Sequence, residues 1–440
     1  MATGSDAAAV GGDVGRPPAG ANRSWFVLAT LTFVYILNFL DRQLIGILAK
    51  PIQDSLQITD GQLGLIGGLY FAMFYCFIAI PVGWFADRTS RVGVLSLACA
   101  IWSGATVACG LAANYAQLVV ARMTVGFGEA GGVPPSYAII TDTYPPGKRA
   151  AALGVFNLGP AIGAALGVAF GASIADRFGW RIPFIIVGAI GVVTALFVWL
   201  FIREPKKGAM DGARGVGASD KAPFWPTVGA FLSNPVLMLA SLGSGATQFV
   251  TYGLGNFAVL YLMREKGMEF GDVAVWYALV LLLGMGGGMV ISGRVIDAMT
   301  RRSRSGYAVA PAVSLAIAMP FYIGFVWAPG WPLALALLAV VMVFNYFYLS
   351  ASVALVQEEV KPNQRVLSGA LLLLIMNFIG LGLGPTWVGF ASDWFKAQGD
   401  TQSLQSALYT LTPFYLIAIG LFVALARRLR REQSAMEPGA

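Results

Sequence analysis

Residues 83–91 read GWFADRTSR, and residues 293–302 read GRVIDAMTRR. Each is a short polar joint between two apolar runs of the length that crosses a bilayer. Both place an aspartate four residues after a glycine, Gly83 to Asp87 and Gly293 to Asp297. Basic residues follow in each, Arg88 and Arg91 in the first, Arg301 and Arg302 in the second. The two aspartates are 297 − 87 = 210 residues apart. A second pair of joints repeats at nearly the same offset: Pro146-x-x-Arg149 and Pro362-x-x-Arg365, with 362 − 146 = 216. The second half of the chain therefore repeats the first.

Working outward from these joints, the apolar runs number twelve. They fall at about 25–49, 62–83, 92–113, 116–140, 150–173 and 182–202, and then at about 232–263, 272–294, 306–327, 331–357, 366–392 and 406–426, each long enough for a helical span. Composition agrees: 57% of the 440 residues are hydrophobic and 12% charged, too few charges to cover a soluble protein of this size. The expected organisation is a tail at 1–24, polar, rich in Pro and Gly and read as disordered; a six-span bundle at 25–202; a linker at 203–228; a second six-span bundle at 229–427; and a tail at 428–440. The tripeptide Ala-Asp-Arg closes span 2 (Ala86–Arg88) and span 5 (Ala175–Arg177), whose loops face opposite sides. This hints at inverted three-span units, an architecture used by alternating-access transporters.

Of the 29 Lys and Arg, 21 lie in loops or tails on the side of the N-terminus, 6 on the other side and 2 within spans. That asymmetry predicts both termini in the cytoplasm of a bacterial-type inner membrane. The basic residues are scattered between spans, so the net charge of +7 is not a nucleic-acid footprint. The three cysteines lie in apolar segments and indicate neither a disulfide nor a metal site. No histidine is present, so proton chemistry near neutral pH falls to carboxylates.

Four charges lie within spans: Asp41 and Arg42 in span 1, Arg122 and Glu129 in span 4. Each costs about 2.5–3.5 kcal/mol at the bilayer centre, on the order of 10 kcal/mol for four unpaired charges, so they must face one another or water. At about 1.5 Å per residue, Asp41 lies about 12 Å below the outer end of span 1 and Arg122 about 9 Å below that of span 4. Asp41 and Arg42 point about 100° apart and cannot pair with each other. The expected pairs are Asp41 with Arg122, and Arg42 facing a cavity within reach of Glu129. Asp41 and Glu129 are the candidate proton carriers, and Arg42 and Arg122 the candidate binders of an anion. The second half carries no charge within a span, but offers polar residues for the opposite wall: Gln248, Tyr252 and Asn256 on one face of span 7, Asn345 in span 10 and Asn377 in span 11. A wall charged on one side and aromatic on the other suits an amphipathic anion or zwitterion.

GWFADRTSR resembles the signature between spans 2 and 3 of the major facilitator superfamily, with Val92 where a further basic residue commonly stands. NFLDR (Asn38–Arg42) and RMTVGFGEA (Arg122–Ala130) resemble the Spinster-like lipid transporters and also a family of organic-anion/proton symporters. The resemblance implies an all-α integral-membrane fold of twelve transmembrane helices in two pseudo-symmetric six-helix halves. It also implies a cytoplasmic gate at Gly83, Asp87, Arg88, Arg91, Asp297 and Arg301. The function it implies is proton-coupled transport of a lysophospholipid or sphingoid-phosphate type of lipid, by a monomer without a cofactor. The alternatives are a proton symporter of a small organic anion such as a sugar acid, and a non-transporting receptor or scaffold. Gly126-x-Gly128-x-x-Gly131 matches a dinucleotide fingerprint in letters only, because it lies inside an apolar span with no strand before it. No phosphate-binding loop, metal-ligand cluster or nucleophile–base pair points to an enzyme.

Overall fold

The computed structural model describes residues 21–205, 223–361 and 364–436. The expected disordered tail up to residue 20, most of the linker (206–222), Pro362 and the last four residues lie outside the described residues, as does the side chain of Asp87. Every regular element among the described residues is helical. The first helix begins at Ala21, a turn before the expected 25, and the last runs on to Met436.

Among the described residues, ten continuous helical stretches are long and apolar enough to cross a membrane. An eleventh counts if the pair Phe224–Ser233 and Pro235–Lys266, bent by 78°, is taken as one crossing. The remaining segment of the twelve, the fourth, is divided into Tyr115–Glu129 and Val133–Thr143. Arg122 and Glu129 lower its hydropathy, and Gly131-Gly132 followed by Pro134-Pro135 interrupts its hydrogen-bond ladder. The glycines of this span serve packing. A Cβ at Gly126 would lie 2.5 Å from the Phe71 carbonyl oxygen of span 2, and one at Gly128 would lie 2.6 Å from the Trp102 nitrogen of span 3.

Local sequence sets the other boundaries. Thr59 and Gln62 form a reciprocal capping box at the start of span 2, Ser90 caps span 3 and Asn114 caps the first piece of span 4. Asn234 with Pro235 opens span 7, and Gly267, in the left-handed conformation at φ 72°, closes it. Two short π-helical segments, Val273–Tyr277 in span 8 and Phe378–Leu383 in span 11, insert wide turns into their helices.

Span 1 packs along span 5, Gly159–Phe178. Gly163 and Gly167 lie against Ile36, Phe39 and Leu40; a Cβ at Gly167 would be 2.8 Å from the Leu40 carbonyl oxygen. This small-residue ridge brings the two backbones together. It thereby fixes the rotation of span 1 that decides where Asp41 and Arg42 point.

Candidate substrate site and gates

The four charges within spans form two crossed pairs. Arg42 Nε donates to Glu129 Oε2 at 2.6 Å, and Arg122 Nη1 lies 3.8 Å from Asp41 Oδ1. The Thr106 hydroxyl, from span 3, donates to Asp41 Oδ2 at 2.5 Å. Asp41, Arg122 and Glu129 are each at most 2% exposed. The pairing follows from helix geometry, because adjacent residues on span 1 face different neighbours. Aromatic rings complete the surroundings. The Arg42 guanidinium carbon lies 5.0 Å from the ring centroid of Phe39, 5.2 Å from Phe71 and 4.5 Å from Tyr75, and that of Arg122 lies 5.1 Å from Phe71. These distances are within cation–π range.

Arg42 and Arg122 line a central cavity of about 750 Å³ of empty space, part of it open solvent. Its first-half wall adds Phe39, Gln43 and Phe71; its second-half wall is Tyr252, Tyr277, Leu281, Met285, Met342 and Tyr346. Gly46, Gly67 and Asn256 also line it, and the two glycines press against Asn256.

Of the polar residues expected on the second-half wall, Tyr252 and Asn256 line this cavity. Gln248 is buried against Gly380 of span 11, and Asn345 accepts a hydrogen bond from the Tyr415 hydroxyl of span 12 at 3.1 Å. Asn377 is half-buried on span 11, outside the lining. The structure thus does not bring Gln248, Asn345 and Asn377 to the cavity. Span 7 and span 10 are rotated so that Gln248 and Asn345 meet neighbouring helices of their own half.

At the joint between spans 2 and 3, residues 83–91, Arg91 is ion-paired with Asp142 at the end of span 4. Glu204, just after span 6, accepts from the Ser90 hydroxyl at 2.6 Å and from the backbone N–H of Arg91 and Val92 at 2.9 Å. It supplies the start of span 3 with the acceptor that an N-terminus needs. Arg88 is exposed, and a Cβ at Gly83 would meet nothing within 4 Å. In the second half the corresponding pair is Arg304 with Glu359, while Asp297 and Arg301 are exposed. Arg304 stands 213 residues after Arg91 and Glu359 217 after Asp142, within three residues of the repeat offsets of 210 and 216. That offset is the signal by which Asp142, Arg304 and Glu359 could have been found from sequence; Thr106 and Glu204 carry no such mark.

The sequence profile of the Major Facilitator Superfamily matches residues 31–385. The chain belongs to that superfamily. This major facilitator protein is a transporter, not an enzyme, and an integral membrane protein. It is similar throughout to a solved bacterial homolog of the human lysosomal transporter Spinster, in an inward-facing and unoccupied conformation. The identity is 31%, over 95% of this chain and 99% of that one, with a TM-score of 0.85. An MFS-type efflux pump of Mycolicibacterium smegmatis is 29% identical over 93% of this chain and 95% of the pump. A hexuronate transporter of Bacillus subtilis is 25% identical over 83% of this chain and 87% of its own.

Proposed function

We propose that this transporter moves an amphipathic anionic or zwitterionic molecule of the lysophospholipid or sphingoid-phosphate type by alternating access, coupled to protons. The observation that carries the reading is Arg42. Its guanidinium stands on the cavity wall, bonded to Glu129 at 2.6 Å and packed on Phe39, Phe71 and Tyr75, opposite Leu281, Met285 and Met342. An anionic head has a guanidinium to meet, and an apolar tail has a wall to lie on. The resemblance of Asn38–Arg42 and Arg122–Ala130 to the Spinster-like lipid transporters supports the same substrate class.

In the proposed cycle the substrate anion takes Arg42 from Glu129. A carboxylate buried without its cation is more stable protonated, so Glu129 takes up a proton as substrate binds. Asp41, held as a carboxylate by Arg122 and Thr106, is the second carrier: it takes a proton when Arg122 moves away from it and releases that proton when the pair re-forms. Arg122, Tyr252 and Asn256 complete the binding site. The half-chains 25–202 and 229–427 rock about it as units. The excess of Lys and Arg on the side of the termini assigns that side to the cytoplasm of the cell membrane, and the working unit is a monomer.

A second reading has its own support: two guanidinium groups at one cavity, and similarity to a hexuronate transporter, fit a small organic anion. Thermal-shift measurements separate them. Lysolipids with an anionic or zwitterionic head are expected to stabilise the wild type and not Arg42→Ala; stabilisation by small organic acids alone would transfer the assignment to that class. For coupling, substrate-driven proton flux in liposomes is expected to be lost in Asp41→Asn and Glu129→Gln. Flux at the wild-type rate in both variants rules out the coupling.

A further inference from the structure

Span 12 continues beyond its apolar run as one helix, Thr412–Met436. Residues 427–431 read RRLRR. Arg427, Arg428, Arg430 and Arg431 are exposed, while Leu429 between them is buried against the bundle. At about 100° per residue, Arg427, Arg428 and Arg431 share the side of the helix that faces away from Leu429. The same arithmetic carries this side down into the membrane. Ala424, Gly420, Ile417 and Leu416 lie on it and are exposed, Leu416 at 56% and Ile417 at 49%. Apolar side chains exposed on a membrane span face acyl chains. The three arginines therefore stand above the lipid-facing side of span 12. A Cβ at Gly420 would meet nothing within 4 Å, so Gly420 and Ala424 leave a furrow open to the membrane below them. From Gly420 to Arg427 is 427 − 420 = 7 residues, about 10 Å of helix.

This end of the molecule is short of anions. Arg428 Nε bonds Glu432 at 2.8 Å, and Arg430 Nε donates to the Ser305 hydroxyl at 3.4 Å. Among the described residues, Arg427 and Arg431 have no carboxylate partner. They stand one turn apart, where like charges repel. The loop after span 8 adds to the excess. Ser303 donates to Gln433 at 3.1 Å and so fastens Arg301 and Arg302, both exposed, beside the end of span 12. Residues 293–305 and 427–436 together hold eight arginines against Asp297 and Glu432, and one of the eight, Arg304, is taken by Glu359. The positive-inside asymmetry accounts for the sign of these charges but not for their place, because it is indifferent to the side of the helix that carries them. It is equally met by lysine, whereas the planar guanidinium matches a phosphate with paired N–H groups.

We propose that Arg427, Arg428 and Arg431 bind the phosphate headgroup of an anionic phospholipid of the surrounding membrane, with an acyl chain lying in the furrow at Gly420 and Ala424. A basic cluster directly at the end of a span meets the charged headgroups of the leaflet. A phosphate between Arg427 and Arg431 turns their repulsion into a bridge. None of these residues lines the central cavity, so the lipid is a resident ligand and not cargo. The site stands independently of the substrate reading.

Native mass spectrometry of the delipidated protein tests this, with phosphatidylglycerol as the probe and phosphatidylcholine of the same chains for comparison. The wild type is expected to bind phosphatidylglycerol about ten-fold more tightly, a difference of ~1.4 kcal/mol. The triple variant Arg427→Gln, Arg428→Gln, Arg431→Gln is expected to lose that preference. A control triple variant, Lys148→Gln, Arg203→Gln, Lys361→Gln, removes three exposed cations elsewhere on the side of the termini and is expected to keep it. Arg42→Ala is expected to keep it as well. Should the arginine variant fail to fold, Gly420→Leu carries the test: it fills the furrow, keeps every charge and is expected to weaken phosphatidylglycerol binding. Wild-type preference in the folded arginine variant, or in Gly420→Leu where that variant is the test, overturns the site, and so does equal loss in the control. Loss in Arg42→Ala would put the lipid in the cavity and overturn it too. Displacement of the lipid by an equal concentration of inorganic phosphate would assign the arginines to a free anion and overturn the lipid.

Discussion

At the scale of single residues, the adjacent Asp41 and Arg42 are not each other's partners, and the consequences of breaking each pair differ. Removing one member of a buried pair costs about 3–5 kcal/mol, because the other charge is left without compensation. Arg42→Ala leaves Glu129, 1% exposed, in that condition. The variant is therefore expected to unfold at lower temperature than the wild type, and Glu129→Gln added to it is expected to recover most of the loss. Substrate transport does not return, because the guanidinium is still missing. A double variant no more stable than Arg42→Ala would show that Glu129 is not Arg42's partner. These four residues were legible in the sequence because helix rise and twist are fixed, so depth and direction follow from residue number. Gln248, Asn345 and Asn377 were not: in a helix with few polar groups and no charge, nothing in the sequence fixes its rotation about its own axis. Asn345 meets Tyr415 and Gln248 meets Gly380. Thr106 was hidden for another reason, since a threonine in an apolar span also bonds its own helix, as it does to the Trp102 carbonyl at 2.9 Å.

At the scale of elements, glycine placement divides into contacts and clearances. Gly167 of span 5 has the Leu40 carbonyl oxygen and Cα within 3.0 Å of an added Cβ, whereas Gly83 of the signature joint has nothing within 4 Å. Gly167→Val is expected to push span 1 off span 5, with an overpacking cost of about 1–3 kcal/mol and displacement of Arg42 from the cavity. Gly83→Ala is expected to change thermal stability by no more than about 0.5 kcal/mol. Melting curves of the two variants in one detergent decide this, and equal destabilisation would contradict it. The glycines of span 5, Gly159, Gly163, Gly167 and Gly171, recur every four residues and so share one helix face. The division of span 4 was not legible in the sequence, because Gly131-Gly132 and Pro134-Pro135 are each tolerated within membrane helices, and the break between Glu129 and Val133 appears only in the structure.

At the scale of the whole molecule, the two halves are internally tied by equivalent ion pairs and tied to each other where Arg264 pairs with Asp60. Arg91–Asp142 and Arg304–Glu359 occupy repeat-related positions, and each joins the loop after a half's second span to the C-terminal end of its fourth. Such pairs travel with their half as it moves. Asp142→Asn and Glu359→Gln are therefore expected to lower thermal stability without changing the ratio of long to short distances between spin labels at Gln57 and Gln398, exposed residues of different halves. Because the two sites lie in different halves and share no partner, their effects are expected to add within about 0.3–0.5 kcal/mol. Strong non-additivity would mean that the halves communicate through these loops. A shift of that label ratio would mean that the loops bias the transport equilibrium directly, and the separation between ties within halves and ties between them would fail.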